Sequence, residues 1–357
     1  MIYDTSLDGI QDKVLAGERI ESAEALRLYR ALTLPELGAL ADAVRRRKHP
    51  DNRVTYIIDR NINYTNICNV YCTFCAFMRE EKDDDSYVLT KEQVGAKIQE
   101  LVNIGGVQIL MQGGHHPKLG IDYYLELLRY IRRQFPQVNI HGFSPPEFTH
   151  FAEVFQLPVE EVIRQFKDAG LGSIPGGGGE ILVDKVRKRI APLKCSGQQW
   201  LHVMEVAHGL GLNSSATMMF GHVETVEDRI EHLRMLREVQ DRTHGFTAFI
   251  CWTFQNENTR LRVPSVGAHE YLRMQALARI FLDNFPNVQS SWVTQGPQIG
   301  QVALQFGAND FGSVMMEENV VSQAGATFRI NEETMCRLIR ELGYEPHRRN
   351  NWYQLLN

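Results

Sequence analysis

Strand-like and helix-like segments alternate along most of this 357-residue chain. The apolar pattern predicts strands at residues 54–64, 107–111, 138–143, 213–219, 245–252 and 288–293, with helices at 91–104, 122–135, 158–169, 181–189, 198–210, 226–241 and 269–285. Strands that are separated by helices of roughly 10 to 15 residues pair in parallel. So many successive units favour a TIM-type (β/α) barrel of the α/β class, with a doubly wound sheet as the alternative.

Both ends of the chain are predicted to be helical extensions. Two short helices lie between residues 22 and 47, and Thr33 followed by Glu36 forms a capping box at the start of the second. A last helix covers residues 331–342. Because no Pro-, Gly- or Ser-rich linker divides the chain, we predict one structural domain with a helical N-terminal extension (1–50), a barrel (51–330) and a C-terminal helical extension (331–357).

Composition and charge favour a cytoplasmic protein that acts on a small molecule. The chain is 43% apolar with a net charge of -5, so it can bury a large core but has no basic field to attract nucleic acid. Its N-terminus lacks a cationic start followed by an apolar run, and no stretch of about 18 uncharged apolar residues occurs. We therefore expect neither export nor a membrane span. The six cysteines make no disulfide framework in a chain of this length, which predicts reduced thiols.

Three of those cysteines, Cys68, Cys72 and Cys75, lie in one short loop directly after the first predicted strand. Catalytic groups of a parallel barrel gather at this end of the strands. Three soft thiolates can hold a [4Fe-4S] cluster and leave one iron without a protein ligand. The alternatives are a structural zinc site completed by His115 or His116, and three unrelated thiols. Zinc sites usually have a second Cys-x2-Cys pair, which this chain lacks.

The spacing Cys68-x3-Cys72-x2-Cys75, with aromatic Phe74 before the last cysteine, resembles the signature of the radical S-adenosylmethionine (SAM) superfamily. The resemblance implies that the open iron chelates the amino and carboxylate groups of SAM. One electron, from a donor such as flavodoxin or ferredoxin, then cleaves SAM into methionine and a 5'-deoxyadenosyl radical, which abstracts hydrogen from carbon. It also implies that Phe74 lies near the adenine.

Two further segments are candidates for SAM binding. Gln112, Gly113 and Gly114 follow a predicted strand and resemble the superfamily's glycine-rich segment, whose bare backbone approaches the methionine amino group. An ordinary strand-to-helix turn is the alternative. Ser144 and Glu147 follow the next strand and could hold ribose hydroxyls or an amine, but the same pair is also a helix capping box.

Two later segments carry candidate acid-base groups. Glu180 follows four glycines, Gly176 to Gly179, which are too dense for a regular element and form no nucleotide-binding fingerprint. His222 follows a predicted strand. Either side chain could take a proton during catalysis, and either could instead have a purely structural role. Around them, Trp252 is a candidate wall for an aromatic substrate, and Gln255, Asn309 and Asp310 are candidate polar contacts with the substrate.

Several segments together resemble the radical SAM subfamily of futalosine-pathway menaquinone enzymes and deazaflavin-cofactor synthases. They are residues 61–77, 112–117, 144–147, 176–180, 221–225 and 307–312, within a match that spans roughly residues 50 to 345. Residues 56–66, 217–219, 252–255 and 291–297 look most like the member that cyclises dehypoxanthine futalosine. The siblings, aminofutalosine synthase and the deazaflavin-cofactor synthases, are alternatives, and a noncatalytic metal-binding protein is a remote one.

The resemblance implies a nucleoside-derived substrate and a mechanism. The deoxyadenosyl radical removes hydrogen from C4' of the ribose, and the carbon radical attacks the attached benzoate ring. Loss of an electron and a proton restores aromaticity, and Glu180 or His222 is the expected base. Arg60, Arg79 and Arg187 are the expected partners of the benzoate carboxylate.

Overall fold

The computed structural model describes residues 7–356, so residues 1–6 and 357 of the predicted extensions lie outside it. Its helices are α1 (Asp8–Ala16), α2 (Ser22–Ala31), α3 (Leu34–Lys48), α4 (Lys91–Asn103), α5 (Ile121–Gln134), α6 (Pro145–Phe155), α7 (Val159–Ala169), α8 (Asp184–Ile190), α9 (Gly197–Gly209), α10 (Val226–Thr243), α11 (Ala268–Phe281), α12 (Trp292–Gln295), α13 (Pro297–Ala303) and α14 (Glu332–Glu341). Its strands are β1 (Arg53–Ile57), β2 (Asp59–Asn63), β3 (Gln108–Gln112), β4 (Asn139–Gly142), β5 (Ser173–Ile174), β6 (Asn213–Phe220), β7 (Phe246–Thr253), β8 (Asn287–Gln289), β9 (Asp310–Ser313) and β10 (Glu345–Arg348). None of the described helices is long and apolar enough to cross a bilayer.

The described strands form one parallel sheet that curls into a barrel. Their order is β10-β1-β9-β8-β7-β6-β5-β4-β3-β2. Strand β1 pairs with β9 and β2 pairs with β3, yet only Ile58 separates β1 from β2. Apart from β10, which pairs with β1 at the edge, the row of strands from β1 to β2 therefore begins and ends on one continuous stretch of chain. This arrangement confirms the predicted TIM-type α/β fold, and the doubly wound alternative is not observed.

Alternation along the strands places polar side chains inside the barrel. Asp59, Asn61 and Asn63 of β2 line the interior cavity, as do Gln108 and Gln112 of the paired β3. The intervening residues point outward to the helices, because successive side chains of a strand face opposite sides. The helices bury their apolar faces against the sheet, which leaves the interior free for a polar ligand site.

The ends of the chain differ from the prediction in two respects. Helices α2 and α3 form as expected, with the Thr33 and Glu36 capping box in place, and α1 precedes them. The C-terminal segment contains the expected α14, but its next residues form β10, which pairs in parallel with β1. The segment 331–357 is therefore not purely helical. A strand of four residues carries too little periodicity to be read from sequence, and distant pairing creates it.

Candidate active site

A cavity of about 430 Å³ occupies the barrel interior. It reaches from the cysteine loop after β2 down to residues of the C-terminal segment. Of the residues predicted to form the site, the following line this cavity: Cys68, Cys72, Phe74, Cys75, Gln112, Gly113, Gly114, Ser144, Glu147, Glu180, Trp252 and Gln255. These residues come from five separate segments of the chain. The barrel thus brings together most of the groups proposed for the cluster and for SAM.

The cysteine loop is held in place by backbone hydrogen bonds to its neighbours. The Cys68 amide donates to the carbonyl of Arg79 at 3.1 Å, and the Thr73 amide donates to the carbonyl of Ile190 at 2.8 Å. All three cysteines of the loop are free thiols, with Cys72 buried and the others half-buried. Burial raises the pKa of the Cys72 thiol to about 12. Such a thiol becomes a thiolate only when a metal centre binds it.

The cysteine loop fits an iron-sulfur cluster better than a single metal ion. Across residues 7–356, no group of three or more His, Cys, Asp and Glu side chains converges closely enough to hold one ion. That finding disfavours the zinc site completed by His115 or His116. In a cubane cluster each thiolate binds a different iron, so the sulfurs need not meet at one point. The donor set therefore suits a [4Fe-4S] cluster.

Gly114 packs directly against the cysteine loop. A Cβ atom at this position would lie 2.2 Å from the Ile67 carbonyl oxygen and 2.9 Å from Cβ of Cys68. Only glycine allows this approach, because any other side chain would clash with backbone. The glycine-rich segment and the cysteine loop therefore form one continuous wall of the cavity, as a site that holds cluster and SAM together requires.

The carboxylate of Glu147 holds that glycine-rich segment in position. Its Oε1 accepts from the Tyr64 hydroxyl at 2.7 Å and from the Gly113 amide at 3.0 Å. Its Oε2 accepts from the amide and hydroxyl of Ser144, which is the capping box of α6. Both oxygens are thus engaged inside the protein. Glu147 and Ser144 line the cavity, but these contacts favour a positioning role over the direct SAM contact expected from sequence.

We expect Tyr64→Phe to raise the KM for SAM about tenfold, because a buried carboxylate loses one of its hydrogen bonds and holds Gly113 less firmly. The measurement is SAM cleavage to 5'-deoxyadenosine as a function of SAM concentration. Tyr124→Phe is the matched control, since its ring lies 5.6 Å from that of Tyr64 but its buried hydroxyl has no hydrogen-bond partner. Equal KM values for the two variants would contradict the positioning role.

Glu180 lies beside a buried lysine that sequence analysis did not single out. Nζ of Lys194 donates to Oε1 of Glu180 at 3.0 Å, and it lies 5.1 Å from the centre of the Phe74 ring. Burial lowers the pKa of Lys194, but the carboxylate of Glu180 and the thiol of Cys72 outweigh it and raise the pKa. Oε2 of Glu180 is buried without a hydrogen-bond partner. It lies 3.6 Å from Nη1 of Arg187, so this carboxylate oxygen faces a second cation but accepts no hydrogen bond.

His222 does not reach the cavity, contrary to the expected role as a base. Its side chain is fully buried and contacts Oε2 of Glu224 at 3.0 Å and the carbonyl of Met219 at 3.1 Å. Burial raises the pKa of Glu224, but hydrogen bonds and charge from His222 and Arg229 outweigh it and lower the pKa to about 2. The histidine belongs to a buried ion-pair network that shapes the loop after β6.

The three arginines expected to bind a carboxylate are all engaged elsewhere and do not line the cavity. Arg60 faces outward from β2 and pairs with Glu100 at 2.6 Å and Glu317 at 2.7 Å. Arg79 pairs with Asp85 at 2.8 Å. Arg187 donates to backbone carbonyls of Gly179 and Cys195, which braces the glycine-rich loop. The geometry therefore does not support this expectation. A sequence identifies a cationic residue but does not show which group it pairs with.

Asn309 and Asp310 also lie outside the cavity lining. Oδ1 of Asn309 accepts from the Val288 amide at 3.0 Å, which ties β8 to β9. Asp310 accepts from the guanidinium of Arg349, a cavity residue near the C-terminus. Asn309 and Asp310 therefore hold neighbouring parts of the barrel in place and do not face the cavity themselves. Glu318, which follows β9, does line the cavity.

Known proteins resemble this chain over its whole described length. Residues 62–236 match the family model of the radical SAM superfamily, and residues 243–357 match the model of the CofH/MqnC C-terminal region. The cyclic dehypoxanthine futalosine synthase of Halalkalibacterium halodurans is 46% identical over 352 residues, which cover 98% of this chain and 95% of that protein. This chain belongs to the radical SAM superfamily.

Other radical SAM relatives extend the comparison. The cyclic dehypoxanthine futalosine synthase of Streptomyces coelicolor is 48% identical, covering 100% of this chain and 90% of that protein. The aminodeoxyfutalosine synthase of Thermus thermophilus is 37% identical, covering 99% of this chain and 96% of that protein. The solved structure of methylornithine synthase shares the fold, with a TM-score of 0.74 at 17% identity, and covers 94% of this chain and 97% of that one.

Membership of the family establishes the class of cofactor. Radical SAM enzymes use a [4Fe-4S] cluster and SAM, and this chain is therefore a radical SAM enzyme with those cofactors. The three thiolates of the cysteine loop are the residues suited to the cluster. Phe74 and the backbone of Gly113 and Gly114 remain the proposed SAM contacts, and Lys194 joins them as a cation beside the cysteine loop.

Proposed function

We propose that this chain cyclises dehypoxanthine futalosine to cyclic dehypoxanthine futalosine in futalosine-dependent menaquinone biosynthesis. Identity of 46% and 48% over nearly full length to two proteins of that name carries the proposal. The relative named aminodeoxyfutalosine synthase is less similar, at 37%. The polar cavity next to the cysteine loop is consistent with a nucleoside-derived substrate held beside SAM.

In this proposal, Cys68, Cys72 and Cys75 hold the cluster and the Gly113 and Gly114 segment lines the SAM site. When bound, the reduced cluster and SAM supply hydrogen-atom abstraction, here from C4' of the substrate ribose. The chain's own residues orient the sugar and the attached ring. Trp252 of β7 lines the cavity and provides an apolar face suited to the benzoate ring.

Glu180 is the proposed base. Once the ring is attacked it must lose a proton to become aromatic again, and Oε2 of Glu180, which accepts no hydrogen bond, can take that proton. Lys194 at 3.0 Å and Arg187 at 3.6 Å compensate the charge of the buried Glu180 carboxylate. His222, the other candidate base from the sequence, is buried against Glu224 at 3.0 Å and does not line the cavity.

The remaining parts of the proposal concern the setting of the reaction. All six cysteines are free thiols, which supports a reducing compartment such as the cytoplasm. The electron that starts the reaction is proposed to come from a flavodoxin or a ferredoxin. Titrating the cluster with each reduced donor protein and measuring 5'-deoxyadenosine tests that part independently of the substrate.

Product identification tests the reaction itself. The anaerobically reduced enzyme is incubated with SAM and dehypoxanthine futalosine, and the product is analysed by mass spectrometry. We expect a product lighter than the substrate by two hydrogen atoms, because one leaves as an atom and one as a proton with an electron. A parallel incubation with the enol-ether substrate of aminofutalosine synthase is the control. Turnover of that substrate alone would favour the sibling activity.

A further inference from the structure

The C-terminal segment closes the cavity at the end opposite the cysteine loop. Arg349, Asn351 and Tyr353 follow β10 and line the cavity. The Arg349 amide donates to the carbonyl of Tyr56 at 2.9 Å, and Nη2 of its guanidinium donates to Oδ1 of Asp310 at 2.9 Å. Asp310 is the first residue of β9, so this contact lies at the start of the strands. We use the term cavity floor for the C-terminal residues Arg349, Asn351 and Tyr353 together with Asn61, the middle residue of β2, which lines the same cavity.

Two side chains of the cavity floor have polar atoms without a partner. Oδ1 of Asn61 and Nδ2 of Asn351 are buried and make no hydrogen bond within the described protein. Both residues are 6% exposed, and both line the cavity. A buried polar atom without a partner costs about 1 to 3 kcal/mol. Two such amides in one cavity indicate that a ligand supplies the missing partners.

The charges around the cavity floor are already compensated. The guanidinium of Arg349 is paired with Asp310, and its plane stacks 3.9 Å from the centre of the Tyr353 ring. Burial lowers the pKa of His141 to about 3, so this cavity residue is neutral. Burial also raises the pKa of Asp59, which favours its neutral form. Among the described residues of the cavity floor, a carboxylate would find no unpaired cation.

A hydroxyl group fits these amides better than a carboxylate does. A carboxamide offers both donors and an acceptor, and a hydroxyl can satisfy either of them. A carboxylate only accepts, so it leaves the carbonyl oxygen of Asn61 without a partner. The cavity floor therefore has the chemistry of a sugar site.

We propose that Asn61 and Asn351 bind hydroxyl groups of the substrate sugar, and that the benzoate carboxylate lies elsewhere in the cavity. The inference rests on the proposed function, because it takes the substrate to carry both a sugar and a carboxylate. It assigns a specificity role to the C-terminal segment. Arg349 and Asp310 are positioning residues in this scheme, since they hold the segment against β1 and β9.

The test follows the logic of a double-mutant cycle, with one change made in the protein and the other in the substrate. Asn351→Leu keeps the size of the side chain and removes its hydrogen bonds, and the expected rise in KM for dehypoxanthine futalosine is about tenfold. For the wild type, an analogue that lacks the partner hydroxyl should show a similar rise. For Asn351→Leu, the KM for that analogue should equal the KM for the full substrate within about twofold. The variant has already lost the hydrogen bond that the missing hydroxyl would make, so removing the hydroxyl costs nothing further.

Asn61→Leu is measured in the same way and keeps the test decisive if Asn351→Leu fails to fold. Asn103→Leu is the matched control, since Asn103 is exposed at the end of α4 and should change no KM. The KM for SAM should stay within about twofold in all three variants. The inference would be overturned if the rise in KM caused by the variant added to the rise caused by every deoxy analogue. It would also be overturned if the two rises failed to add only for the analogue that lacks the carboxyl group. Absence of cyclised product from the wild type would instead refute the proposed function.

Discussion

Replacement of Cys68, Cys72 or Cys75 by alanine is expected to abolish SAM cleavage. In a [4Fe-4S] cluster with three protein ligands, each thiolate binds one iron and one iron has no protein ligand. The loss of one thiolate therefore leaves two irons without protein ligands. Each variant, reconstituted anaerobically with iron and sulfide, should retain less cluster and form no 5'-deoxyadenosine with dithionite. Iron and sulfide content and the 5'-deoxyadenosine yield are the measurements.

The other cysteines provide matched controls for this result. Cys195 and Cys336 lie away from the cysteine loop in sequence and are not part of the cavity lining. Cys336 is buried on α14, so its replacement by alanine removes little volume and should leave cleavage largely intact. Loss of cleavage in Cys195→Ala or Cys336→Ala would contradict the assignment of the three ligands. So would zinc, rather than iron, in anaerobically purified protein.

Glu180→Gln is expected to lower the rate of product formation by about 10² to 10⁴, the usual contribution of a general base. Glutamine retains the size of the side chain and an oxygen that can accept from Lys194, so the fold should persist. SAM cleavage should continue without matching product, because the base acts after hydrogen abstraction. The ratio of cyclised product to 5'-deoxyadenosine measures this uncoupling.

Glutamine is chosen because an apolar side chain at position 180 would also lower the stability of the protein. Glu180→Leu would leave the buried ammonium of Lys194 without its carboxylate, which typically costs about 3 to 5 kcal/mol of stability. Thermal unfolding of Glu180→Gln beside the wild type checks that stability is retained. A proportional fall in product and 5'-deoxyadenosine would show that Glu180 acts earlier, at SAM binding, and would exclude the role of base.

Much of the architecture follows from local patterns in the chain. The helices between residues 91 and 281 and the long strands lie within a few residues of their predicted bounds. The elements that were missed include one full helix, α6 with eleven residues, and short pieces such as β5 with two residues and β10 with four. The predicted strand 288–293 ends early, at Gln289, and Trp292 begins α12. Such pieces depend on neighbouring strands rather than on their own periodicity.

The candidate site was predictable where its residues follow one another in the chain. The three thiols and the glycines after β3 are sequence motifs, and the barrel brings them to one wall of the cavity. The partners of single charged residues were not predictable. Arg60 pairs with Glu317, which lies 257 residues further along, and no local pattern reveals such a contact. Lys194 and Asn351 carry no motif at all.

The sequence by itself determined most of the long strands and helices, the cluster-binding loop and the superfamily, because each of these depends on neighbouring residues. Only the tertiary structure decided which acid meets the cavity, that Glu147 supports Gly113, and that the C-terminal segment forms the cavity floor. The physical reason is that burial and pairing of a charged or polar group depend on whatever the fold brings beside it. Residues far apart in the chain set those surroundings.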